Sequence, residues 1–143
     1  MKLTFTLETQ PTSEQKKLIL DSLDAFNDAQ AGSCNFKEFT LFARSETGGF
    51  VGGLLAWTHW NHFFVCALFV DERARRKGIG RELMKRAEEL AVEQGCNAIY
   101  LDTFDFQAPK FYEKLGFKVF GTLQDYPTGH QRFYLVKQIR DSP

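Results

Sequence analysis

The unbroken apolar run Phe63-Phe64-Val65-Cys66-Ala67-Leu68-Phe69-Val70 constrains this chain more than any other segment. Eight residues fall far short of the roughly 20 that span a bilayer. A strand apolar on both faces belongs in the middle of a sheet, covered on both sides. A polar turn bearing Gly78 and Gly80 follows it. Over residues 78–94, Ile79, Leu83, Ala87, Leu90 and Ala91 then recur at helical spacing, and Gly95 stands where a C-cap belongs. Residues 98–103 make a second buried strand. A helix joining two buried strands of one sheet is expected to form a right-handed crossover.

The remaining elements are read the same way. Leu3, Phe5 and Leu7 alternate with polar neighbours, which predicts a half-buried strand over residues 2–8. Thr12 or Ser13 is placed to cap a helix over residues 14–27, and residues 28–35 read as a polar loop. Residues 36–44 and 50–60 read as strands joined at Glu46-Thr47-Gly48-Gly49, a hairpin turn signal. Pro109 is acceptable in the first turn of a short helix over 107–115, which Gly116 stops. Strands over 118–123 and 132–139, with a loop at 125–130, complete the order β-α-β-β-β-α-β-α-β-β. The fold class is α/β: one mixed sheet with helices on both faces, in a single domain over residues 1–143.

Composition removes several function classes. The chain is 43% hydrophobic with 15 Phe, which argues for a packed interior and against disorder. Its 18 basic and 18 acidic residues cancel, so the overall excess that marks a nucleic-acid binder is missing. No membrane association is expected. Cys34, Cys66 and Cys96 are odd in number and form no CxxC pair, so no metal site or disulfide framework is expected, and reduced thiols in the cytoplasm are. Charge is uneven locally: residues 72–86 hold seven basic and two acidic side chains.

That basic stretch surrounds Arg75-Arg76-Lys77-Gly78-Ile79-Gly80-Arg81, between the buried strand and the amphipathic helix. A helix N-terminus presents unpaired N–H groups and partial positive charge. Glycines let backbone approach a ligand closely. Together they make an anion site suited to phosphate. A Walker loop is excluded, because Lys77 precedes the glycine pair and Arg81 follows it. A dinucleotide fingerprint would need a third glycine where Leu83 stands.

The segment from Leu68 to Leu83 closely resembles the acyl-CoA motif of the GCN5-related N-acetyltransferases, Arg/Gln-x-x-Gly-x-Gly/Ala. Ala108-Pro109-Lys110-Phe111-Tyr112-Glu113-Lys114-Leu115-Gly116-Phe117 looks like the same family's segment ending in Tyr-Glu-Lys-x-Gly-Phe. The two motifs stand in the right order. The resemblance is good over residues 36–120 and extends across the chain. The stretch 102–109 with the later Pro-x-Gly-His also resembles a group of small bacterial members.

The resemblance implies an acetyl-CoA-dependent N-acetyltransferase that needs no metal. Backbone groups of Leu68, Phe69 and Val70 would pair with the pantetheine arm, and an N–H of Leu68 or Val70 would polarise the thioester carbonyl. Arg75, Arg76, Lys77, Gly78, Ile79, Gly80 and Arg81 would hold the pyrophosphate. Tyr112 would protonate the departing thiolate, since a phenol of pKa about 10 can donate to a thiol anion of pKa about 8.5 at little cost. Gln107 stands where the family often has Asn and would bond the cofactor. The acceptor is a primary amine of a small molecule or a protein, attacked directly in a ternary complex. A homodimer is the family's common habit.

Other residues carry competing readings. Asp102 and Asp105 are candidates to line an amine pocket, because carboxylates attract ammonium groups, and His130 is a third candidate; for each, an ordinary loop side chain is the plainer reading. No general base stands out: Asp71, Glu72 and His62 flank the central strand. Cys66, in a buried strand, is not expected to serve as a nucleophile. A non-catalytic acyl-CoA-binding or sensor module on the same fold is the alternative function. A Rossmann-type nucleotide binder is a third, against which the missing glycine counts.

Overall fold

The computed structural model describes residues 1–140. It contains two compact units, residues 1–34 and the residues from Asn35 onward.

The first unit is a single helix, α1 (Ser13–Ala31). Thr12 caps it reciprocally: the Gln15 N–H donates to Thr12 Oγ1 at 3.1 Å, and the Thr12 N–H donates to Gln15 Oε1 at 2.8 Å. This is a capping box, which satisfies two otherwise orphaned donors. The helix runs into the first half of the expected 28–35 loop and stops at Gly32, whose φ of +80° suits glycine. Residues 2–8 form no strand, contrary to the alternation of Leu3, Phe5 and Leu7. Alternation is only a condition for a strand; the ladder also needs a partner, and these residues have none in any described strand pair.

The second unit holds β1 (Lys37–Arg44), β2 (Phe50–His59), β3 (His62–Val70), α2 (Ile79–Glu93), β4 (Ala98–Phe104), α3 (Pro109–Lys114), β5 (Lys118–Gln124) and β6 (Gln131–Gln138). The strands form one mixed sheet in the order β1-β2-β3-β4-β6-β5. Among the described residues, only β3 and β4 pair in parallel; they are the strands joined through α2. The hairpin at 45–49 forms as expected, with the Ser45 N–H donating to the Gly49 carbonyl at 2.9 Å.

One face of the sheet carries Leu54, Ala56, Phe63, Val65, Ile99, Leu101 and Leu135, all at most 3% exposed. Cross-strand pairs share a face, and Ala56↔Val65, Val65↔Leu101 and Leu101↔Leu135 link these residues. Ala87 and Ala91 of α2, fully buried, let the helix axis approach this face closely. Tyr112 of α3 and Phe117 join the same core cluster. Both helices of this unit therefore supply one face. The opposite face carries the aromatic succession Trp57, Phe64 and Tyr100, with ring centroids 5.1 and 4.7 Å apart.

The central strand is not covered along its whole length. Phe63 and Val65 are buried, but Cys66, Ala67 and Phe69 are exposed. The reason is a break in the sheet.

Candidate active site

The β3–β4 ladder runs from His62↔Ala98 to Val65↔Leu101 and stops there, although β3 continues to Val70 and β4 to Phe104. The stop coincides with a bulge. Leu55 pairs with Ala67 and Ala56 with Val65, so Cys66 is an extra residue on β3 with no partner in β2. A bulge bends its strand and increases the local twist. Here the two strands part immediately after it. The apolar run that suggested a fully covered strand is in its second half the wall of an opening.

The opening is a cleft of about 830 Å³. Leu68, Phe69 and Val70 line one side, and Asp102, Thr103 and Phe104 the other. Arg75, Arg76, Gly78, Ile79, Gly80 and Arg81 line one end; Phe106, Gln107, Phe111 and Tyr112 complete it. The two sequence motifs thus meet at one cavity.

At the α2 end, Gly78 is the N-cap, with φ +78°, and no side chain caps the helix. The first intrahelical bond recorded there is from the Glu82 N–H to the Gly78 carbonyl. The N–H groups of residues 79–81 have no carbonyl one turn earlier to accept from them. They face an opening flanked by Arg76 and Arg81, with the helix dipole adding to the positive potential. Arg75 is differently used: its Nε donates to the Val70 carbonyl at 3.0 Å, tying the turn to the end of β3. That bond occupies one of the backbone groups expected to pair with a pantetheine arm.

Tyr112 enters the cleft from α3. It is 8% exposed and packs edge-on against Phe111 and Phe117, at 5.1 and 6.1 Å. Burial, and then the negative charge of Asp102, push its phenol up to about 12. Gln107 folds back on its own turn: its Oε1 accepts from the Phe104 N–H at 2.8 Å and from Thr103 Oγ1 at 3.2 Å. Only its amide nitrogen is left to meet a ligand.

The acidic candidates are already engaged. Asp102 Oδ1 accepts from Arg132 Nη2 at 2.8 Å and Nε at 3.1 Å. Arg132 in turn lies over the rings of Phe104, Tyr126 and Tyr134, at 5.2 to 5.4 Å. Asp102 is thus a paired carboxylate rather than a free attractor of amines. Asp105 bonds His130, Oδ1 to Nδ1 at 2.9 Å. Sequence reasoning missed Arg132, because nothing local connects residues 102 and 132; only the pairing of β4 with β6 brings them together.

The base candidates separate by position. Asp71 caps the short 3-10 turn Glu72–Ala74, accepting from the Arg73 N–H and Nε. Those Arg73 bonds hold its carboxyl below the usual range, which makes it a poorer proton acceptor. His62 lies at the start of β3, in a separate pocket with His59 and Tyr100. Six residues of strand, roughly 20 Å, separate it from Leu68. Cys66, expected to be buried, is exposed and lines the cleft.

Comparisons with known proteins agree with this geometry. Residues 6–117 match the family described as Acetyltransferase (GNAT) family. The chain is 38% identical over 102 residues to the blasticidin-S acetyltransferase of Streptomyces morookaense, covering 71% of this chain and 75% of that one. It is 32% identical over 137 residues to the acetyltransferase Atu2258 of Agrobacterium fabrum, covering 96% and 100%. The crystal structure of an acetyltransferase from Bacillus cereus superposes with a TM-score of 0.85 at 30% identity, over 93% of this chain and 97% of that one. The chain belongs to the GNAT acetyltransferase family. It is an N-acetyltransferase, and its co-substrate is acetyl-CoA.

Proposed function

We propose that this protein transfers the acetyl group of acetyl-CoA to a primary amine of a small molecule, by direct attack in a ternary complex. The observation that carries the reading is the parted β3–β4 pair, with an uncapped helix N-terminus at one end and a buried phenol on its wall. The backbone N–H groups of residues 79–81, with Arg76 and Arg81, hold the pyrophosphate. The open backbone of Leu68 and the Val70 N–H, on the cleft side, orient the pantetheine arm and the thioester carbonyl, while the Val70 carbonyl is held by Arg75. Tyr112 holds a proton for the leaving sulfur. The surroundings that keep its phenol protonated also raise the basicity of a thiolate placed beside it, which narrows the gap between donor and acceptor.

A small-molecule acceptor is supported by the relative named for blasticidin S, which aligns with this chain over most of both sequences. Chain-wide membership of one domain is supported by the family match, which spans both compact units. A cytoplasmic setting is part of the same reading; acetyl-CoA is an intracellular thioester, and Cys34, Cys66 and Cys96 are free thiols. Among the described residues, no helix is long and apolar enough to cross a membrane.

The test is acetyl-CoA-dependent thiol release against a panel of amines with blasticidin S at its head, beside a peptide bearing free lysines. Thiol release with a small amine, and an N-acetylated product by mass spectrometry, supports the reading. Turnover of the peptide alone would replace the acceptor class.

A further inference from the structure

The turn after β4 and the loop before β6 are joined by a bonded pair, Asp105 and His130, beside the cleft. Asp105 Oδ1 accepts from His130 Nδ1 at 2.9 Å, and its Oδ2 accepts from the Gln131 N–H at 3.0 Å. The Asp105 N–H returns a bond to the Gln131 carbonyl at 3.0 Å. The loop is braced by the Gly129 N–H donating to Asp125 Oδ1, and by the Tyr126 N–H donating to the His130 carbonyl. Phe106 meets the imidazole edge-on with centroids 5.0 Å apart, and Phe106 itself lines the cleft. The ring is therefore fixed in position one aromatic side chain from the cavity.

The carboxylate sets the tautomer. An acceptor at Nδ1 requires the proton there, which leaves the lone pair on Nε2. The His130 side chain is 46% exposed, and Nε2 bonds nothing among the described residues. Asp105 is the charged side chain that faces it. Asp125, in the same loop, is turned to Gly129, and Arg132 is held by Asp102 and Tyr126.

We propose that His130, oriented by Asp105, is the base that takes the proton from the acceptor ammonium. The inference rests on the acetyltransferase reading above. An ammonium has no lone pair and cannot attack. Its N–H bond breaks, the electron pair stays on nitrogen, and the proton passes through one bridging water to His130 Nε2, which stands beside the cleft rather than on its wall. That pair forms the C–N bond at the thioester carbonyl carbon. The C–S bond breaks, its electron pair leaves on sulfur, and the Tyr112 proton neutralises it. A second proton from the new amide nitrogen returns to the Tyr112 oxygen. His130 is the proton acceptor, and Asp105 is a positioning residue.

Two amines of similar size and different basicity test this: benzylamine, an ammonium near neutral pH, and aniline, already neutral there. His130→Gln should cut transfer to benzylamine about 100-fold while leaving transfer to aniline within about threefold, since only the first needs a base. The benzylamine rate of the variant should also climb with pH as free amine accumulates, where the wild type levels off. Asp105→Asn should reproduce the benzylamine defect in part. Equal losses on both amines, or no loss on benzylamine, would overturn the proposal. Nitrogen NMR of the imidazole gives a readout that needs no acceptor: the tautomer with its proton on Nδ1 is expected, and a proton on Nε2 with Nδ1 bare would overturn it. Acetyl-CoA should raise the melting temperature of wild type and His130→Gln alike. Failure of that shift in the wild type would count against the acetyltransferase reading itself.

Discussion

Arg132 and Asp102 are diagonal neighbours on adjacent strands, bonded through Nη2 and Nε to the same carboxylate oxygen at 2.8 and 3.1 Å. The register explains it: Asp102 lies opposite Tyr134 and Phe104 opposite Arg132, within reach of a long side chain. The pair sits where β4 has left β3, so Asp102 lines the cleft and charges its wall. Removing only the arginine leaves the carboxylate uncompensated beside Tyr112. Arg132→Met should destabilise the fold by roughly 1–3 kcal/mol in denaturant titration. Adding Asp102→Asn should restore part of that loss, which a double-mutant cycle reads directly.

Asp102 also holds up the Tyr112 ionisation, after burial. Asp102→Asn should therefore bring that phenol below about 12. Ultraviolet titration of tyrosinate, with Tyr112→Phe as the reference that lacks the step, measures the change.

The same ionisation links to stability. The phenol titrates near 10 in an unfolded chain and at about 12 in the fold. Below 10 both states keep the proton, and the full contribution of the raised value is present. Between 10 and 12 the unfolded chain loses its proton first, so stability falls as pH rises. The loss across that window is on the order of 3 kcal/mol, at roughly 1.4 kcal/mol for each pKa unit. Denaturant titrations through this range should show the fall in the wild type and a smaller one in Tyr112→Phe. The same variant should bind acetyl-CoA normally and lose about 100-fold or more in turnover, as deletion of a general acid does.

Gly78 and Gly80 have different tasks and should respond differently to alanine. Gly78 has φ +78° and open space where a methyl group would stand, so its substitution is limited by backbone strain alone. Gly78→Ala should cost about 1–2 kcal/mol and weaken acetyl-CoA binding, because the strain is relieved by moving the helix N-terminus. At Gly80 a Cβ would meet Phe111 Cζ at 3.4 Å, an ordinary contact, with no unusual φ. Gly80→Ala should be milder in stability; calorimetric titration of both variants makes the comparison.

Cys66 and Cys96 should differ sharply toward a thiol reagent. Cys96 is fully buried, and burial pushes its thiol up, whereas Cys66 is exposed in the cleft. Labelling of the folded protein should mark Cys66 and spare Cys96, and acetyl-CoA should slow the labelling of Cys66. Peptide mapping after timed alkylation reads both.

Much of this arrangement was legible in the sequence, because it depends on local signals. The amphipathic spacing of Ile79, Leu83, Ala87 and Ala91 specified α2, and Thr12 its capped counterpart α1. The glycine pair and the Tyr112 segment pointed to two walls of one cleft. What escaped depends on pairing between distant residues. Cys66 looked buried because its neighbours are apolar, and only the register against β2 reveals it as a bulge. Asp102 looked like a free carboxylate because its partner lies 30 residues away. Leu3, Phe5 and Leu7 looked like a strand because alternation says nothing about whether a neighbour exists to complete the ladder.

Thermal unfolding with acetyl-CoA or NAD in excess measures most directly whether the cleft holds acetyl-CoA. At about 100 times its dissociation constant, a ligand that binds only the fold should stabilise it by about 2.7 kcal/mol. The expected result is a stabilisation of that order with acetyl-CoA, a smaller one in Gly78→Ala at the same concentration, and none with NAD. No shift with acetyl-CoA, or an equal shift with NAD, would contradict the acyl-CoA reading of the cleft.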